Sequence, residues 1–247
     1  MKLSIKRLLQ TVLGLEGYLF VFAIFKIFTL RWDKNENDFL RFVPLVPDHT
    51  IILDIGANIG IMSVLLARHA PASTIYAFEP IPVNFKILKR VISFFRLRNV
   101  TAFPHALGDE NRDVEMILPV VQGVRLQGLG LVVNKQAASD LEGDHFTVPC
   151  KRLDDLPFLQ QSGKRIGAIK IDVQDFEYFV FDGARDLLAQ HRPVVFCEMG
   201  AGELADKIKE LFTRMDYEIR VLSDNDLVLY DPQVHLSQWN YFLLPRN

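Results

Sequence analysis

Between residues 51 and 68 an apolar strand-like run passes through Leu53-Asp54-Ile55-Gly56-Ala57-Asn58-Ile59-Gly60 into an amphipathic helix pattern. An acid and two glycines at such a junction constrain the fold more than any other feature. Ligands of open α/β sheets bind outside the carboxyl ends of the strands, and glycines there let backbone approach a ligand without a Cβ. Gly56 and Gly60 are so placed. A dinucleotide fingerprint needs a further glycine at the middle position, where this chain has Asn58, and no Gly-Lys-Ser/Thr run signals a P-loop. The pattern therefore points to a nucleotide-like ligand other than a dinucleotide.

From Thr50 onward, strand and helix patterns alternate. Strands are expected at 51–53, 74–78, 100–103, 166–171 and 193–197, with 217–222 paired to 227–230; helices are expected at 61–68, 83–95, 176–190 and 203–215. Continuous apolar runs such as Val194-Val195-Phe196 imply strands covered on both faces. The expectation is an α/β protein with a doubly wound, mostly parallel, seven-stranded Rossmann-like sheet over residues 50–247, preceded by a helical extension over 1–49. Residues 112–149 break the alternation and read as an inserted β/loop segment. Its Gly123, Gly128 and Gly130 permit turns, and such a segment either carries substrate contacts or is a surface meander.

Asp54 ends the first strand as an acceptor suited to an ammonium or a bound water, with loop amides beside it for a carboxylate. Glu79 ends the second, in Tyr76-Ala77-Phe78-Glu79-Pro80, where a carboxylate can accept ribose hydroxyls. The chain resembles the FkbM-type methyltransferases in four motifs: Asp54 through Gly60; Tyr76 through Pro80 with Asn84; Ala106-Leu107-Gly108-Asp109; and Lys170-Ile171-Asp172-Val173 with Glu177. The likeness runs from about residue 39 to the end. It implies an S-adenosylmethionine-dependent O-methyltransferase with cofactor contacts along Asp54, Gly56, Asn58, Gly60, Glu79 and Pro80. It also implies that Ala106, Leu107 and Asp109 lie near the adenine and that Asp172 sits beside the transferable methyl. One departure stands out: where the family usually reads Asp-Val-Glu followed by Gly or Asn, this chain has Asp172-Val173-Gln174-Asp175.

Methyl transfer is an in-line displacement, so the protein must align the acceptor and take the proton it loses. Asp172 is the first candidate for orienting or deprotonating a hydroxyl, with Lys170 and Glu177 near enough to tune it. His105 is a second possible base, and Glu198, ending the fifth strand, faces the acceptor from the neighbouring position. The six histidines are scattered, so no metal is invoked. Expected acceptors are a sugar, a glycolipid or a secondary metabolite. Two other readings stay open: a cofactor-binding but catalytically silent partner protein, and, less favoured, a nucleotide-dependent oxidoreductase.

Twenty-eight Lys and Arg against 30 Asp and Glu give a net charge of -2, which offers nucleic acid no broad attractive field. Cys150 and Cys197 lack disulfide or zinc spacing, in keeping with a cytoplasmic setting. The N-terminus is apolar from residue 8 to 30 behind Lys2, Lys6 and Arg7, but Glu16 and Lys26 interrupt it, which disfavours spanning a bilayer. A pair of short helices broken near Gly14 and Gly17 is expected. They pack on the domain or form a homo-oligomer, with peripheral membrane contact through residues 1–31 as the alternative.

Overall fold

A computed structural model describes residues 3–122, 124–125, 130–132 and 142–246. The N-terminal segment forms α1 (Leu3–Thr29), then two 3-10 turns, α2 (Asn37–Phe42) and a third 3-10 turn. Strand and helix then alternate: β1 (Ile51–Ile55), α3 (Ile61–His69), β2 (Thr74–Phe78), α4 (Pro82–Phe94), β3 (Val100–Phe103) and the short β4 (Ala106–Leu107). The inserted segment supplies β5 (Arg112–Val121), β6 (Val124–Arg125), β7 (Leu131–Val132) and β8 (Gly143–Lys151). The chain continues through α5 (Pro157–Gln160), β9 (Ile166–Ile171), α6 (Glu177–Asp182), α7 (Arg185–His191), β10 (Val194–Glu198) and α8 (Glu203–Arg214). It closes with β11 (Tyr217–Ser223), β12 (Asp226–Leu229) and β13 (Asn240–Pro245).

The main sheet runs β12-β11-β13-β10-β9-β1-β2-β3, parallel from β10 to β3 and antiparallel beyond. The doubly wound expectation holds, with one correction to the strand count. Eight strands form the sheet because Asn240–Pro245 inserts between β10 and β11, and the pairing of β11 with β12 is as expected. No crossover helix announces β13, so the alternation rule passes over it. The central strands β1 and β9 are buried along their whole length, as continuous apolar runs require when helices cover both faces.

The inserted segment is a second sheet rather than a loop. β5 and β8 pair antiparallel from Arg112↔Cys150 to Pro119↔Gly143, and β4 joins β8 in parallel. Val114, Met116, Leu118 and Val148 pack with Ile81 and Ala106 into a small core of their own. Gly123 and Gly128 lie outside the described residues.

The extension holds the expected break: α1 is two helical stretches that meet at a kink at Gly14 (φ 67°, ψ 163°), a conformation that favours glycine, while Gly17 lies inside the second stretch and does not break it. Tyr18, Leu19, Ala23 and Ile27 are buried against Val64, Ile87 and Val91 of α3 and α4. Further on, Phe39 and Phe42 of α2 stack on Phe196 in β10, which meets Phe242 in β13 at 5.3 Å. Residues 37–42 are thus continuous with the core of the sheet.

Candidate active site

The order β2-β1-β9-β10 places the topological switch point between β1 and β9, where a ligand crevice is expected in this architecture. Two cavities open there, and Gly56, Asn58 and Asp172 line both.

The first is apolar in its walls and is built from Phe78, Ile81, Leu107, Met116 and Phe176, with Glu79, Asn84 and His105 as polar groups. Glu79 is buried, and its carboxylate holds the β1–α3 turn in place. Oε2 accepts from Asn58 N at 2.8 Å, while Oε1 accepts from Ile81 N at 3.0 Å and Asn84 Nδ2 at 3.3 Å. Burial pushes Glu79 up to about 7 despite these donors. A carboxylate has about four acceptor sites, so three donors leave capacity for a further hydroxyl. His105 turns a buried Nε2 without a hydrogen-bond partner toward this cavity's surroundings, between Phe78 and Phe103. Burial, with Lys151 nearby, holds it below the ordinary imidazole range, so it is neutral at pH 7.

The second cavity is a more polar cleft of about 360 Å³. Lys170, Asp172 and Glu198 line it from the ends of β9 and β10, and the N-terminal extension closes it with Phe22, Glu36 and Phe39. Lys170 is buried and donates to Gly56 O at 2.8 Å; its Nζ lies 3.6 Å from Asp54 Oδ1 and 4.0 Å from Asp172 Oδ2. Burial alone would lower its pKa, but Asp54, Asp172 and Glu198 outweigh that and keep the ammonium charged. It therefore acts as a fixed cation that ties β1 to β9. Gln174 Nε2 donates to Asp172 Oδ1 at 2.9 Å, so the residue that departs from the family pattern holds the Asp172 carboxylate, which a glutamate there could not do as a donor. Gln174 and Asp175 both take positive φ, 53° and 67°. Glu198 is pushed up to about 7, chiefly by burial and then by Asp172, with Lys170 opposing. Glu177, also raised to about 7 by burial, does not line either cavity; it accepts from Val173 N at 3.0 Å and braces the β9–α6 turn.

Several expected contacts fall elsewhere. Asp54 is fully buried beneath the turn, bonded by Ser63 Oγ and facing Lys170, and lines neither cavity. The loop amides expected to receive a carboxylate are occupied: Gly56 N and Ala57 N donate to Phe78 O, Asn58 N to Glu79 and Gly60 N to Ala57 O. A Cβ on Gly56 would lie 1.9 Å from Asp172 O, so this glycine, which also lines both cavities, permits the close approach of β1 and β9. Gly60 likewise serves packing, since its Cβ would meet Leu88 Cδ1 at 2.8 Å. Pro80, Ala106 and Leu107 line the first cavity, whereas Asp109 does not. Met116, Gly130 and Val132 of the inserted sheet cover that cavity, and none of the insertion's described residues lines the polar cleft. Glu36 and Asn240 in the cleft were invisible to the sequence because nothing local marks residues that reach the cleft only through tertiary structure.

A doubly wound sheet with a cavity at its switch point and an acid at the end of β2 defines a nucleoside-binding α/β protein. The profile of the Methyltransferase FkbM domain matches residues 54–220, and the chain belongs to that family. Methyltransferase 1 of Beauveria bassiana is 30% identical over 150 residues, which cover 57% of this chain and 60% of that protein. Methyltransferase sdnD of Sordaria araneosa is 44% identical over 45 residues, 18% of this chain and 17% of its own. The chain thus aligns with less than two thirds of the length of these relatives. Among solved structures, a methyltransferase FkbM from Methylobacillus flagellatus KT shares the fold with a TM-score of 0.53 and 16% identity, covering 78% of this chain and 43% of that one.

Proposed function

We propose that this protein transfers a methyl group from S-adenosylmethionine to a hydroxyl of a sugar, glycolipid headgroup or secondary metabolite. One observation carries the reading: an apolar cavity with nucleoside-type acceptors and a polar cleft lined by three carboxylates, Glu36, Asp172 and Glu198, share Gly56, Asn58 and Asp172 as a common border. The residues present suit the donor. Glu79 has room for a ribose hydroxyl, the partnerless Nε2 of His105 can accept from an adenine amine, and Phe78, Leu107 and Phe176 supply walls for the base. Asn58 Oδ1, buried and without a hydrogen-bond partner, remains for an ammonium. When bound, the sulfonium supplies an electrophilic methyl; the new C–O bond forms as the S–C bond breaks.

The chain's own part is alignment and proton removal. Asp172, held by Gln174 and Lys170, orients the acceptor hydroxyl. Glu198, poised near neutrality, takes the proton, since a base is most effective when its pKa lies near the working pH. This gives His105 a nucleobase role instead of a catalytic one. The test is calorimetry with S-adenosylhomocysteine and NAD, followed by labelled-methyl transfer to glycosides, glycolipids and a cell extract. Binding of the homocysteine product with transfer to a hydroxyl supports the reading; binding of NAD instead overturns it, and binding without any transfer favours a silent partner.

A further inference from the structure

Beyond the kink at Gly14, α1 keeps one stripe uncovered. Val21, Phe25 and Phe28 are 55–63% exposed, and Trp32 in the next turn continues the same i, i+4, i+7, i+11 line. Phe94, at the end of α4, is exposed beside it. Arginines lie on these rings: Arg31 sits 3.9 Å over Trp32, Arg90 3.8 Å over Phe20, and Arg68 4.8 Å over Phe95. Phe20 meets Phe94 at 5.7 Å and Phe28 meets Phe95 at 6.1 Å, so rings and guanidinium groups form one continuous surface. The nearby carboxylates are paired, Glu16 with Lys86, while Asp33 and Glu36 share Lys26 and keep one net negative charge between them. Among the described residues, Arg31, Arg68 and Arg90 have no ion-pair partner.

We propose that this face docks the protein in the headgroup region of an anionic lipid bilayer, with α1 lying in the plane of the surface. Aromatic rings partition into the interface while arginines meet lipid phosphates, so the pattern matches that boundary in both apolarity and sign. Residues 5–32 are long and apolar enough to cross a membrane by length and composition. Crossing would require α1 to leave α3 and α4, exposing Val64, Ile87 and Val91 as well as its own buried stripe, which favours the in-plane pose. A second copy fits less well, because a two-fold interface would face one arginine-bearing patch with another of the same sign. Phe22 of the same helix lines the polar cleft, so docking would bring the cleft close to the headgroups.

Flotation of the full chain with vesicles of phosphatidylcholine alone, or containing phosphatidylglycerol, tests the proposal. Expected are recovery with anionic vesicles only, loss of recovery at high salt, and release by alkaline carbonate. The double variant Phe25→Asp with Phe28→Asp should lower recovery at least tenfold while S-adenosylhomocysteine affinity is unchanged; Trp32→Glu provides the same reading with a single exposed change. Failure of the full chain to float, or undiminished flotation of both variants, overturns the docking face. Resistance to carbonate overturns the in-plane pose. A dimer in light scattering that the variants dissociate, without vesicle binding, assigns the face to a second copy instead.

Discussion

Single side chains divide the site into groups that bind and groups that react. Glu79→Ala removes three internal hydrogen bonds of the β1–α3 turn as well as the ribose acceptor. Charge-assisted bonds contribute roughly 1.5–3 kcal/mol each, so affinity for S-adenosylhomocysteine should fall at least about tenfold by calorimetry. Unchanged affinity would remove Glu79 from the site. Asp172→Asn keeps the shape and should retain cofactor affinity while single-turnover transfer drops about 100-fold or more. Glu198→Gln should instead abolish the rise of transfer rate as pH passes about 7, because that rise reports deprotonation of Glu198. A variant pair with these effects interchanged would reassign the base to Asp172. Gln174→Glu replaces a donor to Asp172 by a like charge and should reduce turnover with little change in cofactor affinity.

At the scale of elements, the tightest constraint is the contact of the β1–α3 turn with the end of β9. Gly56→Ala would press a Cβ into Asp172 O at a φ of 72°, and it should cost more than about 2 kcal/mol in urea unfolding. A stable Gly56→Ala would show that the two strand ends can part. The sequence made β1, β2, β3, β9, β10 and β11 readable because their apolar runs and the helices between them are local patterns. It also placed Asp54, Glu79, Asp172 and Glu198 at strand ends, where they are found. What it could not supply was the neighbour of each group. The packing roles of Gly56 and Gly60 were hidden because the facing atoms, Asp172 O and Leu88 Cδ1, lie 116 and 28 positions away. Asp54 read as a ligand group because its enclosure by Ser63 and Lys170 is tertiary. β13 was hidden for the same reason, since its apolar run makes sense only against β10 and β11.

Across the whole molecule, burial makes the fold sensitive to pH. Glu79 and Glu177 have folded-state values of about 7 against an ordinary 4.5. Both are protonated in either state below about 4.5 and charged in either state above about 7; between these values the unfolded chain is charged while the folded protein keeps the proton. Their contribution to stability is therefore full below about 4.5, declines as pH rises to about 7, by about 3 kcal/mol for each group, and is level above that. Glu177→Gln keeps an acceptor for Val173 N without the charge, so it should raise the melting temperature at pH 8 and leave it nearly unchanged at pH 5. An equal change at both values would show that Glu177 does not titrate there. The position of β13 has a consequence of a different kind. Residues 240–245 come after every other strand in the chain, yet they bridge β10 and β11 in the middle of the antiparallel half. β11 and β12 can pair as a hairpin as soon as they leave the ribosome, and Tyr217 and Val221 pack into the core, but no strand hydrogen bonds join them to the parallel half until β13 arrives. Until β13 pairs, the edge of β10 stands open, and a chaperone that shields that edge would act before this late pairing.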